Sequence, residues 1–366
     1  MDVISFARGN PSPDILPVDA LKECAAAVIE REGRTVLNYG PAGGYPPLRE
    51  WIAEQHSVEA SRVVISTGSL AGFNFLVKHL FDGGGRAVVE APSYDRTIGV
   101  LRSNRAELEA VPLTDAGLDL DRLESILGTG PAPKLIYTIP TFQNPSGRTL
   151  SLEQRRELVE LARARGVLIY EDDPYRLVRY SGDPLPSMYE LADEQGVVFS
   201  SSFSKTGAPG LRVGYMVLPS ELVKPVETVA ASMYIGPPPL PQAMLHEFIQ
   251  RGLFEPNLAF VCDELRQRRD AMLETLETTF PAGTAWSRPD GGYFLWVDLP
   301  GGVRVDTVAE HAAEAGVQFV KGTDFYAADG GEESMRLAFS FPSVSEIRTG
   351  IDRLGALVRE AASVTV

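Results

Sequence analysis

Lys205 is the residue with the most chemistry in its surroundings. It lies in the run Ser201-Ser202-Phe203-Ser204-Lys205-Thr206-Gly207-Ala208-Pro209-Gly210-Leu211-Arg212-Val213-Gly214-Tyr215, directly after the apolar stretch Val197-Val198-Phe199. An amine that forms an imine with a phosphorylated aldehyde needs such a setting. The hydroxyls and Arg212 can hold a phosphate, and the glycines let backbone approach it. A lysine facing a cleft also loses hydration, which lowers its pKa and frees the neutral amine as a nucleophile. A solvated loop lysine would leave Ser202 and Arg212 unexplained.

Three further runs carry complementary chemistry. Ser66-Thr67-Gly68-Ser69-Leu70-Ala71-Gly72 ends a strand pattern and opens a helical one. The free N–H groups of a helix start suit a phosphate, although Ser69 could equally be an ordinary N-cap. Phe142-Gln143-Asn144-Pro145-Ser146-Gly147 offers Asn144 as a donor to a phenolate oxygen on a turn fixed by Pro145; a turn with no ligand is the alternative. In Tyr170-Glu171-Asp172-Asp173-Pro174-Tyr175, an acid beneath a pyridine nitrogen would keep that nitrogen protonated, so the ring can draw electrons from a substrate carbanion. Asp172 is the candidate for that task, Asp173 for a helix N-cap, and Tyr175 for a hydrogen bond to the ring oxygen. An amine, an acid, ring-oxygen donors and a phosphate cradle are what pyridoxal 5′-phosphate requires.

These runs must be brought together by the elements around them. Apolar, β-rich segments at Val63–Ser66, Arg86–Glu90, Lys134–Ile139, Val167–Glu171, Val197–Ser200 and Val213–Leu218 alternate with helical patterns at Ser69–Leu80, Asp119–Leu127 and Leu152–Arg165. In the last, Leu152, Leu158, Val159, Leu161 and Ala162 recur near period 3.6, with Ser151 as N-cap and Gln154 at the capping-box position. Such alternation predicts βαβ units around a mostly parallel sheet, with ligands at the carboxyl ends of its strands. The pattern changes at Gly236-Pro237-Pro238-Pro239-Leu240-Pro241, which reads as a breaker. A long helix over Leu258–Thr278, strands at Gly292–Val297 and Met335–Phe339 and a final helix at Val344–Ala361 then predict a smaller α+β unit. The expected division is an N-terminal segment 1–35 packed with the small domain, a large cofactor-binding domain 36–240, and a small C-terminal domain 241–366.

Composition narrows the function classes. The 366 residues are 44% hydrophobic, enough for a large core, and the formal net charge of −15 disfavours nucleic acid and anionic membranes. No apolar run approaches the length of a membrane-spanning helix, and the N-terminus carries no basic-plus-apolar targeting signal. The two cysteines, Cys24 and Cys262, read as reduced thiols of a cytoplasmic protein. His56, His79, His246 and His311 are scattered, so neither a metal site nor a Ser-His-Asp triad is expected.

Taken with Ile4-Ser5-Phe6-Ala7-Arg8-Gly9, Asn38-Tyr39-Gly40-Pro41-Ala42-Gly43-Gly44-Tyr45-Pro46-Pro47-Leu48-Arg49, Glu90-Ala91-Pro92-Ser93-Tyr94, Arg288-Pro289-Asp290-Gly291-Gly292-Tyr293-Phe294 and Met335-Arg336-Leu337-Ala338-Phe339, the chain resembles fold-type I pyridoxal-phosphate-dependent aminotransferases of class I/II. It is most similar to the subgroup of 2-aminoadipate and other broad-specificity aminotransferases. The resemblance implies an α/β transferase fold: a large domain with a mostly parallel central sheet sandwiched by helices, plus a smaller α+β C-terminal domain. It implies that Lys205 forms the internal aldimine and later shuttles the proton, that Asp172 pairs with the pyridine nitrogen and that Asn144 and Tyr175 bind the ring hydroxyl. Tyr94 would stack on the ring. Ser202, Arg212 and the backbone of Ser69 and Leu70 would hold the phosphate, Tyr39 would reach the phosphate of a neighbouring subunit in a homodimer with shared sites, and Arg336 would clamp the substrate α-carboxylate as a bidentate fork, with Gly9 beside it. The expected reaction is ping-pong transfer of an amino group between an L-amino acid and a 2-oxo acid, in amino acid metabolism or biosynthesis.

The chain departs from the family pattern at Arg8, commonly glycine; at Leu70, commonly glutamine; in a short N-terminus; and in the proline run 237–241. Arg8 beside the substrate entrance would either recognise an acidic side chain or fill the space a substrate needs. Two other functions fit the same scaffold. One is a biosynthetic enzyme performing elimination or replacement, cyclisation or oxidation of an amino acid. The other is a non-catalytic effector module, for which the acidic charge and the early start of the fold leave little support.

Overall fold

The computed structural model describes residues 3–365; Met1, Asp2 and Val366, the ends of the expected first and last domains, lie outside the described residues. A first strand β1 (Ile4–Ser5) precedes the central sheet, whose strands are β2 (Val63–Ser66), β3 (Gly85–Ala91), β4 (Ala106–Thr114), β5 (Gly117–Leu118), β6 (Leu135–Thr138), β7 (Leu168–Asp172), β8 (Val197–Ser202) and β9 (Gly214–Val217). Their spatial order is β2-β9-β8-β7-β6-β3-β4-β5. The run from β8 through β7, β6 and β3 to β4 is parallel, whereas β9 lies antiparallel between β2 and β8.

The apolar runs of these strands follow from burial on both faces. Val64, Val89, Tyr137, Tyr170, Val198 and Met216 belong to one core cluster, and their chain neighbours Val63, Val88, Ile136, Ile169, Val197 and Val217 to another. Each face is therefore covered, and each large apolar side chain so buried contributes about 1.5–3 kcal/mol.

The helix Ser69–Leu80 forms as expected, but Gly68, at φ +90°, is its N-cap and Ser69 is already helical. The helix Leu152–Arg165 starts at Ser151, whose hydroxyl accepts the Gln154 N–H at 3.2 Å, and ends at left-handed Gly166. Gln154 does not complete a capping box. Its amide donates instead to the Ala116 and Leu118 carbonyls, at 3.1 and 3.3 Å, which the β4–β5 hairpin places within reach.

The proline run is a start as well as a break. Pro239 is the first residue of the helix Pro239–Gln250, a position where the missing N–H is not needed and the fixed φ suits the helix. The long helix Phe254–Thr279 leads to a second sheet of β10 (Ala285–Trp286), β11 (Phe294–Asp298), β13 (Val320–Lys321) and β14 (Ser334–Ala338), ordered β10-β11-β14-β13 and antiparallel throughout; β12 (Val317–Gln318) lies outside it. The final helix Val344–Thr365 packs on Phe254–Thr279. The N-terminal segment divides: β1 pairs in parallel with β12, while the helix Val18–Val36 packs on Pro239–Gln250. Among the described residues, no helix is long and apolar enough to cross a membrane.

Candidate active site

A cavity of about 630 Å³ opens at the carboxyl ends of β7 and β8 and at the start of the helix Ser69–Leu80. The structure brings Gly9, Ser69, Leu70, Tyr94, Asn144, Asp172, Tyr175, Ser202, Lys205, Arg212 and Arg336 to its walls. Tyr39 and Arg8 are not among them. Tyr39 is 81% exposed. Arg8 is exposed, with its guanidinium 4.8 Å over the Phe341 ring. Ala7 and Gly9 both line the cavity, and Arg8 between them does not.

Lys205 follows β8 in the loop that leads back to β9. Its ammonium donates to the Gly9 carbonyl at 2.6 Å and lies 4.9 Å from the Tyr293 ring centroid. Burial first, then the positive charges of Arg336 and Arg212, lower its pKa to about 8, with Asp172 opposing. The neutral amine is thus accessible near neutral pH.

Asp172 ends β7. Its Oδ2 accepts the Tyr137 hydroxyl at 2.7 Å, whereas Oδ1 is buried and without a partner among the described residues. Burial raises its pKa to about 7, against the opposing pull of the Tyr137 hydrogen bond and Lys205. Asp173 does not cap a helix. It is buried and accepts the Thr141 hydroxyl at 3.0 Å.

Asn144 and Arg336 position one another. Arg336 donates from Nη1 to Asn144 Oδ1 at 3.0 Å and from Nη2 to the Ala7 carbonyl at 2.8 Å. With the amide oxygen so engaged, the Asn144 NH₂ is left to donate. The Arg336 guanidinium lies between two rings, 4.3 Å from the Phe294 centroid and 4.9 Å from that of Phe325. It is 7% exposed and has no acidic ion-pair partner among the described residues. Desolvation lowers its pKa to about 10, so it stays charged at neutral pH.

The remaining wall is a cradle for an anion. Ser69 and Leu70 open their helix, where main-chain N–H groups have no intrahelical acceptor. Arg212, in left-handed conformation, donates from Nη2 to the Thr67 carbonyl at 3.3 Å and packs where a Cβ on Gly68 would sit. Ser202 Oγ accepts the Ser204 N–H at 3.1 Å.

Tyr137 and the Phe294–Phe325 pair are the residues that sequence reasoning missed. The signal for Tyr137 was a phenol inside a fully buried strand, which must find a partner. The rings around Arg336 had no such signal. Among the described residues, no group of three His, Cys, Asp or Glu side chains could hold a metal ion.

A phosphorylated pyridine aldehyde fits this donor set: an amine of lowered pKa, an unpartnered carboxylate oxygen, an amide donor and a cationic cradle with open N–H groups. The comparisons agree. The chain is 35% identical to the 2-aminoadipate transaminase of Thermus thermophilus, over 98% of this chain and 90% of that protein. It is 34% identical to aromatic-amino-acid aminotransferase 1 of Thermococcus litoralis, over 98% and 88%. Its fold matches the alpha-aminoadipate aminotransferase LysN of Thermus thermophilus, solved with N-(5′-phosphopyridoxyl)-L-leucine and 35% identical, at a TM-score of 0.95 over 99% of this chain and 93% of that one. The model of the family described as aminotransferase class I and II matches residues 1–354, and this chain is a member of that family: a pyridoxal-phosphate-dependent aminotransferase of fold type I.

Proposed function

We propose that Lys205, Asp172 and Arg336 are the working groups of amino transfer between an L-amino acid and a 2-oxo acid in this cleft. The observation that carries the reading is that all three line one cavity together with the open helix start at Ser69 and Leu70. When bound, the cofactor supplies an aldehyde that takes up the amino group and a ring that draws electrons from the substrate α-carbon.

The protein's own groups do the rest. The Lys205 amine supplies the attachment point; once displaced by the substrate amine it removes the α-proton and would return it to the former aldehyde carbon within the same half-reaction, before water releases the 2-oxo acid. Asp172, fixed through Oδ2 by Tyr137, has Oδ1 left to pair with the ring nitrogen. Asn144, through its NH₂, and Tyr175 would donate to the ring oxygen, and Tyr94 would cover the ring. The amides of Ser69 and Leu70, with Ser202 and Arg212, would hold the phosphate. Arg336, already oriented by Asn144 and the Ala7 carbonyl, offers a planar fork to the α-carboxylate. Gly9 lines the same end of the cavity.

Tyr39 is exposed on this chain, which leaves it free to complete a neighbour's phosphate site in a homodimer with shared sites. Cys24 and Cys262 are both free thiols, which fits a cytoplasmic location.

The direct test is a half-reaction. One equivalent of amino acid converts the cofactor absorbance of the loaded dimer stably to that of the amino form, and a 2-oxo acid restores it. A transient colour followed by oxygen uptake, or a fully active monomer in sedimentation, would contradict this reading.

The phosphate cradle has its own test in Gly214. A Cβ there would collide with the Ser69 amide nitrogen and the Gly68 backbone. Gly214→Ala is expected to cost about 1–3 kcal/mol and to weaken cofactor binding by about tenfold or more, read from the cofactor Kd and the unfolding midpoint. An unchanged Kd would move the phosphate elsewhere.

A further inference from the structure

We propose that Glu90 is a positioning residue for amino transfer: through Gln143 its carboxylate fixes the Asn144 amide, and with it the Arg336 fork. This rests on the reading of Asn144 as a ring-oxygen donor and Arg336 as the α-carboxylate clamp. Glu90 and Gln143 are 2% and 1% exposed and neither lines the cavity, so whatever they do is done through other residues.

Glu90 stands near the end of β3, beside the exit of β6. Its Oε1 accepts the Thr138 hydroxyl and the Ile139 N–H, the latter at 3.2 Å. Its Oε2 accepts Nε2 of Gln143 at 2.8 Å. The same Nε2 donates to the Pro92 carbonyl at 2.8 Å, and Gln143 Oε1 accepts the Ser146 N–H at 2.8 Å. Both amide protons and the amide oxygen of Gln143 are thus engaged. Its main chain closes the turn as well, with N–H to the Arg148 carbonyl at 2.8 Å and C=O from the Gly147 N–H at 2.6 Å. Asn144 is the next residue, and its Oδ1 accepts from Arg336 at 3.0 Å. On the other branch, Pro92 precedes Ser93, whose N–H donates to the Phe325 carbonyl at 2.8 Å; the Phe325 ring lies against the Arg336 guanidinium. Gln143 therefore joins the two segments that orient Arg336, and Glu90 holds Gln143 to the sheet.

The residue type argues for this role. A buried carboxylate is costly, and the charge that acts on Glu90 is another carboxylate, Asp172. Space at a strand end is filled at lower cost by an apolar side chain. What an apolar residue cannot do is accept from three converging donors, and a carboxylate accepts at both oxygens. Glutamine at position 90 would set its NH₂ against either the Gln143 NH₂ or the Ile139 N–H. Turning the Gln143 amide over gives no relief, since its oxygen would then face the Pro92 carbonyl and its NH₂ the Ser146 N–H.

The test uses the loaded variants Glu90→Gln, Asn144→Ala and the two combined. A donor to the ring oxygen favours the deprotonated form of the lysine-linked cofactor, so a weakened donor raises the pH midpoint of its visible absorbance. Asn144→Ala is expected to raise that midpoint by about one pH unit, and Glu90→Gln by about half as much. The double variant is expected to match Asn144→Ala alone, because Glu90 moves the midpoint only through Asn144. Glu90→Gln should also lower kcat/KM by about tenfold, with a raised KM for the amino acid, as the Arg336 fork loosens. In the cofactor-free protein the Ser146 amide is expected to be protected from hydrogen exchange. In Glu90→Gln it should exchange about tenfold faster, while amides within β6 and β7 keep the parent's rates. A midpoint that Glu90→Gln leaves unmoved, or shifts that add in the double variant, overturns the proposal. So does free exchange of the Ser146 amide in the parent protein, a result that stands even if Glu90→Gln does not fold. An unmoved midpoint in Asn144→Ala overturns the underlying reading of Asn144, and this inference with it.

Discussion

Lys205→Ala is expected to abolish turnover, with kcat falling by at least about 10⁴-fold, because the variant loses both the attachment point and the proton carrier, and general acid–base catalysis alone contributes about 10²–10⁴-fold. The visible absorbance of the lysine-linked cofactor should vanish with it. The cofactor itself should still bind, since Arg212, Ser202 and the helix start at Ser69 are untouched. The fold should also persist. The side-chain hydrogen bond removed is that to the Gly9 carbonyl, and a desolvated amine, its pKa lowered to about 8, is removed from the interior. Unfolding midpoints near those of the parent protein then separate lost chemistry from lost structure. A variant that turns over with unchanged absorbance would dismiss Lys205 from the mechanism.

Asp172→Asn is expected to lower kcat by about 10²–10³-fold, the size of effect seen when one fixed electrostatic partner of a developing charge is removed. Asparagine can still accept the Tyr137 hydroxyl, so position is retained while the negative charge is lost. The same variant has a signature in the cofactor-free protein. Asp172 titrates at about 7 when folded, against 3.8 for an ordinary aspartate, because burial penalises its charge. A raised carboxyl leaves stability full below pH 3.8 and removes it as pH rises toward about 7. Glu90 and Glu171, also raised to about 7 by burial, add to the same slope. Denaturant midpoints of the cofactor-free protein should therefore fall across this window, and the variant should show a shallower fall. Identical slopes together with unchanged kcat would contradict the role given to Asp172.

The central sheet was legible because strands buried on both faces must be apolar almost without interruption, as in Val63–Ser66 and Leu135–Thr138. The helix starts were less so. Ser69 looks like a cap, yet the chain turns at Gly68, because a Cβ there would meet Arg212. The prolines at 237–241 look like a stop, yet Pro239 opens a helix, since proline serves both ends of that grammar.

The cofactor face of the site was legible for a topological reason. Asp172, Ser202 and Lys205 all lie at or just beyond the carboxyl ends of neighbouring parallel strands, so their convergence follows from the strand order. What surrounds Arg336 was not legible. Phe294 comes from β11, Phe325 from a turn after β13 and the Ala7 carbonyl from the N-terminal segment, and only packing between distant parts of the chain brings them together. The place of Arg8 was not legible either: Ala7 and Gly9 line the cavity, while the Arg8 guanidinium lies over the Phe341 ring.

The central claim is that the cofactor is joined to one particular lysine. Borohydride reduction of the loaded protein, followed by peptide mass mapping, tests it most directly. The account predicts a phosphopyridoxyl label on the peptide containing Lys205 and on no other; a label on another lysine, or none after reduction, would contradict it.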